Sequence, residues 1–407
     1  MLVWSVALWA CVWAAPQHRP TLEGRLEHAR SLLRQMPLVD GHNDVAITIR
    51  KTTLNQMASF PFHQDLSQLE PWASSPFSHT DLQRLRKGQL GGQFWSAWVP
   101  NDSQYKNAVT QTLEQIDVIK RLVDRYPDDL QFVTTADGIL EAHAKGKIAS
   151  LIGVEGGHTI DSSLGVLRIF YNEGVRYLTL THTSNTPWAD SSVAESGDEG
   201  RRLEFDGLTP WGQVVVKEMN RLGMLVDISH VASQTMKDVL NVTRAPVMFS
   251  HSNARAIKNV TRNVPDDVLV RLRDNGGVAM VIFYADFLGS GNTTIKDVVA
   301  HINHIREVAG VNHVGIGADF NGMGRPPKGL EDTSKYPDLF AELLLDPSWT
   351  DEDLKKLAGL NIIRAFREVE KVRDNLRGEA PWDQPIPQKE VQGHLQCVNA
   401  WPAKPPM

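Results

Sequence analysis

The sequence predicts an α/β protein, a single-domain (β/α)8 TIM barrel with active-site loops at the C-terminal ends of its strands. Three observations predict it. Eight short apolar runs recur along the chain, with room for a helix between most of them. The runs are continuously apolar rather than alternating, as suits strands covered on both faces. Six of the eight finish in His, Asp or Glu, and chemistry gathered at the carboxyl ends of parallel strands is the pattern of a barrel active site. An open doubly wound sheet is the alternative, but no Gly-x-Gly-x-x-Gly turn follows the first run.

The runs cover residues 38–41, 92–99, 150–154, 176–181, 224–229, 246–250, 277–284 and 313–319. Helical spacing lies between them. Over 112–126, Leu113, Ile116, Val123 and Tyr126 fall near one stripe, and over 211–222 Val215, Met219 and Leu222 do the same. Helices are also expected over 295–309 and 351–372, the last opened by Thr350-Asp-Glu-Asp353, a capping-box sequence with Asp as the acid. Loops 190–207 and 322–337 are long and follow predicted strands, so both are expected to hang over the barrel mouth as lids.

The bulk properties bound the function. A chain of 407 residues exceeds one average domain, yet barrels of more than about 250 residues fold as one unit. A net charge of −6, with no basic stripe, excludes a nucleic-acid partner. Residues 1–15 carry no charge and are mostly Leu, Val, Trp and Ala. That segment is too short to span a bilayer and reads as a secretory signal peptide, which places the protein outside the cell. The barrel domain is expected over 16–385, and a Pro-rich polar tail over 386–407. That tail lacks the hydrophobic stretch a lipid anchor requires. Sequons at Asn101, Asn241, Asn259 and Asn292 fit a glycoprotein. Cys11 leaves with the signal, so Cys397 is the candidate for a disulfide between two chains.

The chemistry-bearing residues sit at the run ends. His42 and Asp44 are two apart, so on a strand they face one ion together. Glu155 ends its run before two glycines, with both oxygens open to bridge two cations about 3.5–4 Å apart. His230 and His251 end consecutive runs, neighbours in a barrel, and neutral imidazole suits zinc. Asp319, beside the first strand once the barrel closes, is placed to take a proton from a metal-bound water and pass it on. His182 is placed to donate to an oxyanion. For both, a purely structural role is the alternative. His158 reads as a loop hydrogen bonder, His301 and His304 as an exposed helical stripe, and the aromatics of 93–98 as barrel core and wall.

These segments resemble the membrane (renal) dipeptidase family of zinc peptidases, part of the metallo-dependent hydrolase superfamily. The resemblance rests on Val39-Asp-Gly-His-Asn-Asp44, Gly91-Gly-Gln-Phe-Trp-Ser96, Ser150-Leu-Ile-Gly-Val-Glu-Gly-Gly-His158, Tyr177-Leu-Thr-Leu-Thr-His182, Asn185-Thr-Pro-Trp-Ala189, Arg262-Asn-Val-Pro-Asp-Asp267 and Gly329-Leu-Glu-Asp332. It implies a TIM-barrel zinc dipeptidase in which a bridging hydroxide between two Zn2+ ions per subunit attacks the peptide carbonyl. One ion takes His42, Asp44 and Glu155; the other takes Glu155, His230 and His251. Asp319 is then the proton shuttle, His182 the contact for the scissile carbonyl, and Arg262 the partner of the substrate's carboxylate. Small dipeptides, with tolerance for a D-residue on the carboxyl side, and a homodimer are further implications. Membrane association is frequent in the family, though no anchor signal is seen here. The chain departs from the family at Asn101, Ser184, Lys258 and Ser290, where disulfide cysteines are usual. It also has Asn321 for an Asp and Phe287 for a Tyr, which bear on substrate preference. Two rivals stand beside it: a metal site acting on β-lactams, separable by turnover of a dipeptide against a carbapenem, and a non-catalytic barrel, which two bound zincs without dipeptide hydrolysis would indicate.

Overall fold

The structure, a computed structural model, describes residues 21–391. The expected signal peptide, most of the tail and both cysteines lie outside the described residues. Among the described residues nine strands form one all-parallel sheet: β1 (Leu38–Asn43), β2 (Leu90–Trp98), β3 (Leu130–Phe132), β4 (Ile148–Glu155), β5 (Val175–Thr179), β6 (Leu225–Asp227), β7 (Val247–Phe249), β8 (Val278–Val281) and β9 (Val314–Ile316). Their order is β2-β1-β9-β8-β7-β6-β5-β4-β3, and a further β2–β4 ladder from Gly92↔Ala149 to Trp98↔Glu155 closes eight of them into a TIM barrel. The ninth, β3, is an addition to the expected set. It pairs with residues 148–150 of β4, before β5 takes over that edge at 152–155. Leu-Gln-Phe is too short an apolar run to read as a strand.

Within each continuous run, alternation still sorts the side chains. Val39, Phe94, Leu151, Tyr177, Leu225, Met248 and Met280 share one buried cluster inside the barrel. Their neighbours Leu38, Trp95, Ile152, Leu178, Val226, Phe249, Val281 and Ile316 join the larger cluster between barrel and helices. A strand buried on both faces needs apolar residues at every position, which is why the sequence shows runs rather than a period of two.

Helices Ala108–Arg125, Pro210–Leu222 and Ile295–Ala309 form where their spacing placed them. The last is opened by a complete capping box between Thr294 and Asp297, while Thr350 accepts from the Asp353 N–H. The helix expected over 351–372 is interrupted by a π-helical turn, Lys356–Leu360. There the backbone presses onto the base of β1, and a Cβ on Gly359 would stand 2.3 Å from the Pro37 carbonyl oxygen. His301 corrects another expectation. It is buried, accepts from the Ala254 N–H at 3.1 Å and meets the Leu288 carbonyl at 2.9 Å, while His304 pairs with Asp266. Beyond residue 385 the chain stays docked: Thr209 donates to Glu390 at 2.8 Å, and Ile386 and Val391 are buried. Among the described residues no helix is long and apolar enough to cross a membrane.

Candidate metal centre

His42, Glu155, His182, His230, His251 and Asp319 converge at the carboxyl end of the barrel, with Asp44 beside them. Glu155 is at their centre. Its side chain follows the inward parity of Leu151 and Gly153, so simple alternation delivers it over the barrel axis. Oε1 lies 3.0 Å from His230 Nε2 and 3.3 Å from His251 Nε2, while Oε2 lies 3.5 Å from His42 Nε2. His182 Nε2 stands 4.0 Å from Oε1.

His42 needs more than alternation. With Val39 inside the barrel, strict period two would turn His42 outward. The β1–β2 register shifts between Asp40 and Asn43, and a bulge of this kind re-aims a side chain. His42 Nδ1 then meets the inward Tyr177 hydroxyl at 2.9 Å, and Nε2 reaches Asp44 at 3.2 Å. Asp44 caps the helix Val45–Thr53 with no side-chain cap bond, so its carboxylate is available. His230 and Asp319 are held in left-handed backbone, φ 65° and 67°, as is Asn321 at 68°. Such conformations cost energy for non-glycine residues and gather where geometry is functional.

A second ring of groups fixes the first. His251 Nδ1 is 2.7 Å from Ser250 Oγ, which donates to Asp227 at 2.6 Å. Asp40 accepts from the backbone N–H groups of His42 and Ala318 and from the Tyr336 hydroxyl, and burial pushes its carboxyl up to about 6. Arg262 is buried, donating to Ser252 Oγ at 2.7 Å and to the His251 carbonyl at 2.9 Å. Burial lowers its guanidinium to about 10, still charged at neutral pH.

The electrostatics suit cations. Burial holds His230 near 3 and His182 near 4, and His251 well below its ordinary value, so all three present neutral imidazole. Burial, together with Asp44 and Glu155, drives Asp319 well above the carboxylate range despite His42 and Arg262 nearby. Burial would raise Glu155 too, but His42, His182 and the bonds from His230 and His251 hold it well below its usual value. His42 Nε2 is buried and, among the described residues, makes no well-aligned hydrogen bond, although Asp44 and Glu155 oxygens stand 3.2 and 3.5 Å away. Among the described residues three sets of donor atoms lie mutually within 4.8 Å: His42, Glu155 and His251; Glu155, His182 and His230; and His42, Asp44 and Asp319. These sets cut across the two expected ligand groups, because His42 and His251 rings are only 3.9 Å apart, centre to centre. The neutral imidazoles of His182, His230 and His251 and the crowded carboxylates around His42 are a donor set that fits metal ions.

The cleft above, ≈ 530 Å³, is walled by Lys51, Phe77, Trp98, Tyr284, Phe287 and Met323. Residues 322–325 of the second long loop line it as expected. The first does not. Asp190 accepts from the N–H groups of Glu204, Phe205 and Gly207 and clips that loop down beside a separate polar cleft. His158 meets the Val99 carbonyl at 3.2 Å, a loop bond as expected. Asp227, Ser250 and Tyr177 support the cluster without having stood out in the sequence. A carboxylate inside an apolar run is the available signal at Asp227. Of the sequons, Asn241, Asn259 and Asn292 are exposed, whereas the Asn101 amide is turned toward His182 and Thr183.

Comparison with known proteins shows the family and the fold. The model of the membrane dipeptidase family, peptidase family M19, matches residues 26–380. Mouse (Mus musculus) dipeptidase 3 is 44% identical over 365 residues, covering 89% of this chain and 71% of that protein. The probable dipeptidase PvdM from Pseudomonas aeruginosa superimposes with a TM-score of 0.73 at 21% identity, over 86% of this chain and 99% of that one. A metallo peptidase from Rhodobacter sphaeroides, liganded with a phosphinate mimic of the dipeptide L-Ala-D-Ala, gives 0.71 at 23% identity, over 82% and 99%. The two solved structures share the fold, and the family match spans the barrel and every residue of the cluster. This chain therefore belongs to the membrane dipeptidase family, peptidase family M19, and is a dipeptidase of the metallopeptidase class.

Proposed function

We propose that this protein hydrolyses dipeptides at a two-zinc centre, one ion held by His42, Asp44 and Glu155 and the other by Glu155, His230 and His251. The observation that carries the reading is the division of Glu155: Oε2 faces His42, and Oε1 faces His230 and His251. A carboxylate with one oxygen toward each donor group is what a bridged pair requires. Zinc bound there supplies Lewis acidity and activates water near neutral pH.

The chain's own residues do the rest. Asp319, with its carboxyl raised by burial, holds and releases a proton at the cleft wall. His182 Nε2 points into the cleft as donor to the developing oxyanion. Arg262 keeps unused N–H groups for the substrate's terminal carboxylate, which restricts substrates to one residue beyond the scissile bond. Acceptance of a D-residue there is motivated by the L-Ala-D-Ala mimic bound to the Rhodobacter relative. Secretion, glycosylation at the exposed sequons and a homodimer complete the proposal, supported by the apolar leader, the sequons and the family resemblance.

The test is metal analysis of the purified protein with hydrolysis of a panel of L,L and L,D dipeptides, repeated on Asp319→Asn. The expected result is two zinc ions per chain, turnover by the native protein, and zinc without turnover in the variant. Protein carrying two zinc ions that cleaves no dipeptide would make this a non-catalytic barrel.

A further inference from the structure

Asn101 opens a short 3-10 turn, Asn101–Ser103, which follows β2 after Val99 and Pro100. Its Nδ2 lies 3.3 Å from His182 Nδ1 and also donates to Thr183 Oγ1. Thr183 Oγ1 stands 3.4 Å from the same ring nitrogen. An amide nitrogen has two hydrogens and no lone pair to offer, so it serves both acceptors at once. With the Asn101 amide turned this way, at the expense of a buried Oδ1 left without a partner among the described residues, His182 Nδ1 presents its lone pair, and a neutral imidazole carries its single proton on the other nitrogen. That nitrogen, Nε2, is the one facing the cleft, 4.0 Å from Glu155 Oε1. The opposite tautomer would aim a lone pair at the cleft and make His182 a further ligand beside His230. The donor at residue 101 decides between the two roles.

We propose that Asn101 is a positioning residue that holds His182 in its Nε2–H tautomer, and that this commitment of Nδ2 excludes the Asn101 sequon from glycosylation. An N-linked sugar is attached through the same Nδ2, where it would displace Thr183 and His182 from their bonds. Asn241, Asn259 and Asn292 are exposed and meet no such conflict. The kinetic consequence rests on the dipeptidase reading above; the tautomer and the sequon do not.

The experiment uses the full-length, zinc-loaded, secreted protein. Two-bond 15N–1H correlation spectra of histidine-labelled protein are expected to show the Nε2–H form for His182, assigned by its loss in His182→Asn. Asn101→Asp puts an acceptor in place of the donor and is expected to move the proton to Nδ1. The same variant is expected to lose about tenfold or more in kcat, since one oxyanion donor is commonly worth more than that. KM, zinc content and melting temperature should stay near the native values. Glycopeptide mass spectrometry should find Asn101 unmodified. A glycan on Asn101 in fully active protein, or an Asn101→Asp variant with the native tautomer and kcat, overturns the proposal. If the native, zinc-loaded protein cleaves no dipeptide, the dipeptidase reading fails instead, while the spectra and the glycopeptides still decide the role of Asn101.

Discussion

Asp227 reaches His251 through one hydroxyl: Ser250 Oγ donates to Asp227 Oδ2 at 2.6 Å and receives His251 Nδ1 at 2.7 Å. The relay puts the ring proton on Nδ1 and leaves the Nε2 lone pair facing Glu155. Asp227 is itself anchored, accepting from the Ser229 and Ser250 N–H groups and from Thr179 Oγ1. Ser250→Ala should therefore lower metal affinity by about 10–100-fold, the usual cost of losing a group that orients a ligand. Chelator competition measures this, and unchanged zinc retention would show that His251 is oriented by packing alone.

Gly322 borders both carboxylates of the cleft wall. A Cβ there would stand 2.2 Å from Asp44 Oδ2 and 2.4 Å from Asp319 Oδ1. Gly322→Ala is expected to fold normally and to lose roughly tenfold or more in kcat/KM, because displaced carboxylates degrade a positioned site. Steady-state kinetics beside a thermal melt separates this from general destabilisation.

Arg262 is held by Ser252 Oγ and the His251 carbonyl, and its Nε is buried without a partner among the described residues. A lysine cannot reproduce that planar fork. Arg262→Lys should raise KM for a dipeptide by about tenfold or more with a smaller change in kcat. The native protein should also favour a dipeptide over its C-terminal amide, and the variant should not. Equal preference in both proteins would remove Arg262 from carboxylate recognition.

Asp161 offers a pH-dependent test away from the cluster. Burial raises its carboxyl from 3.8 to about 6. The folded state thus binds the extra proton between those values, so this group makes stability fall as pH rises through that window. Asp161→Asn removes the penalty. The variant should melt higher than the native protein at pH 7.5 and at the same temperature at pH 3.5. The residue's φ of 47° is one that Asn adopts readily.

Part of this site is legible in the amino-acid sequence. Glu155 and the histidines ending consecutive runs stand out because a barrel collects strand ends at one rim. Strand parity pairs His42 with Asp44 for a partly mistaken reason. The two meet through a register shift in β1 and a helix cap instead. β3 escapes notice because three residues carry too little pattern, and His301 reads as exposed because one helix face says nothing about what covers it.

The sequence by itself determined the parallel barrel, through apolar runs that only a doubly covered strand requires, and it named the candidate ligands, because residue type limits which side chains can bind zinc. The tertiary structure alone decided how those side chains are aimed. The bulge in β1, the left-handed turns at His230 and Asp319, the Asp227–Ser250–His251 relay and the contact from Asn101 to His182 all depend on segments far apart in the chain. Hydrogen-bond partners brought together by barrel closure leave no periodic trace along a strand, so their roles appear only once the closed barrel fixes the distances.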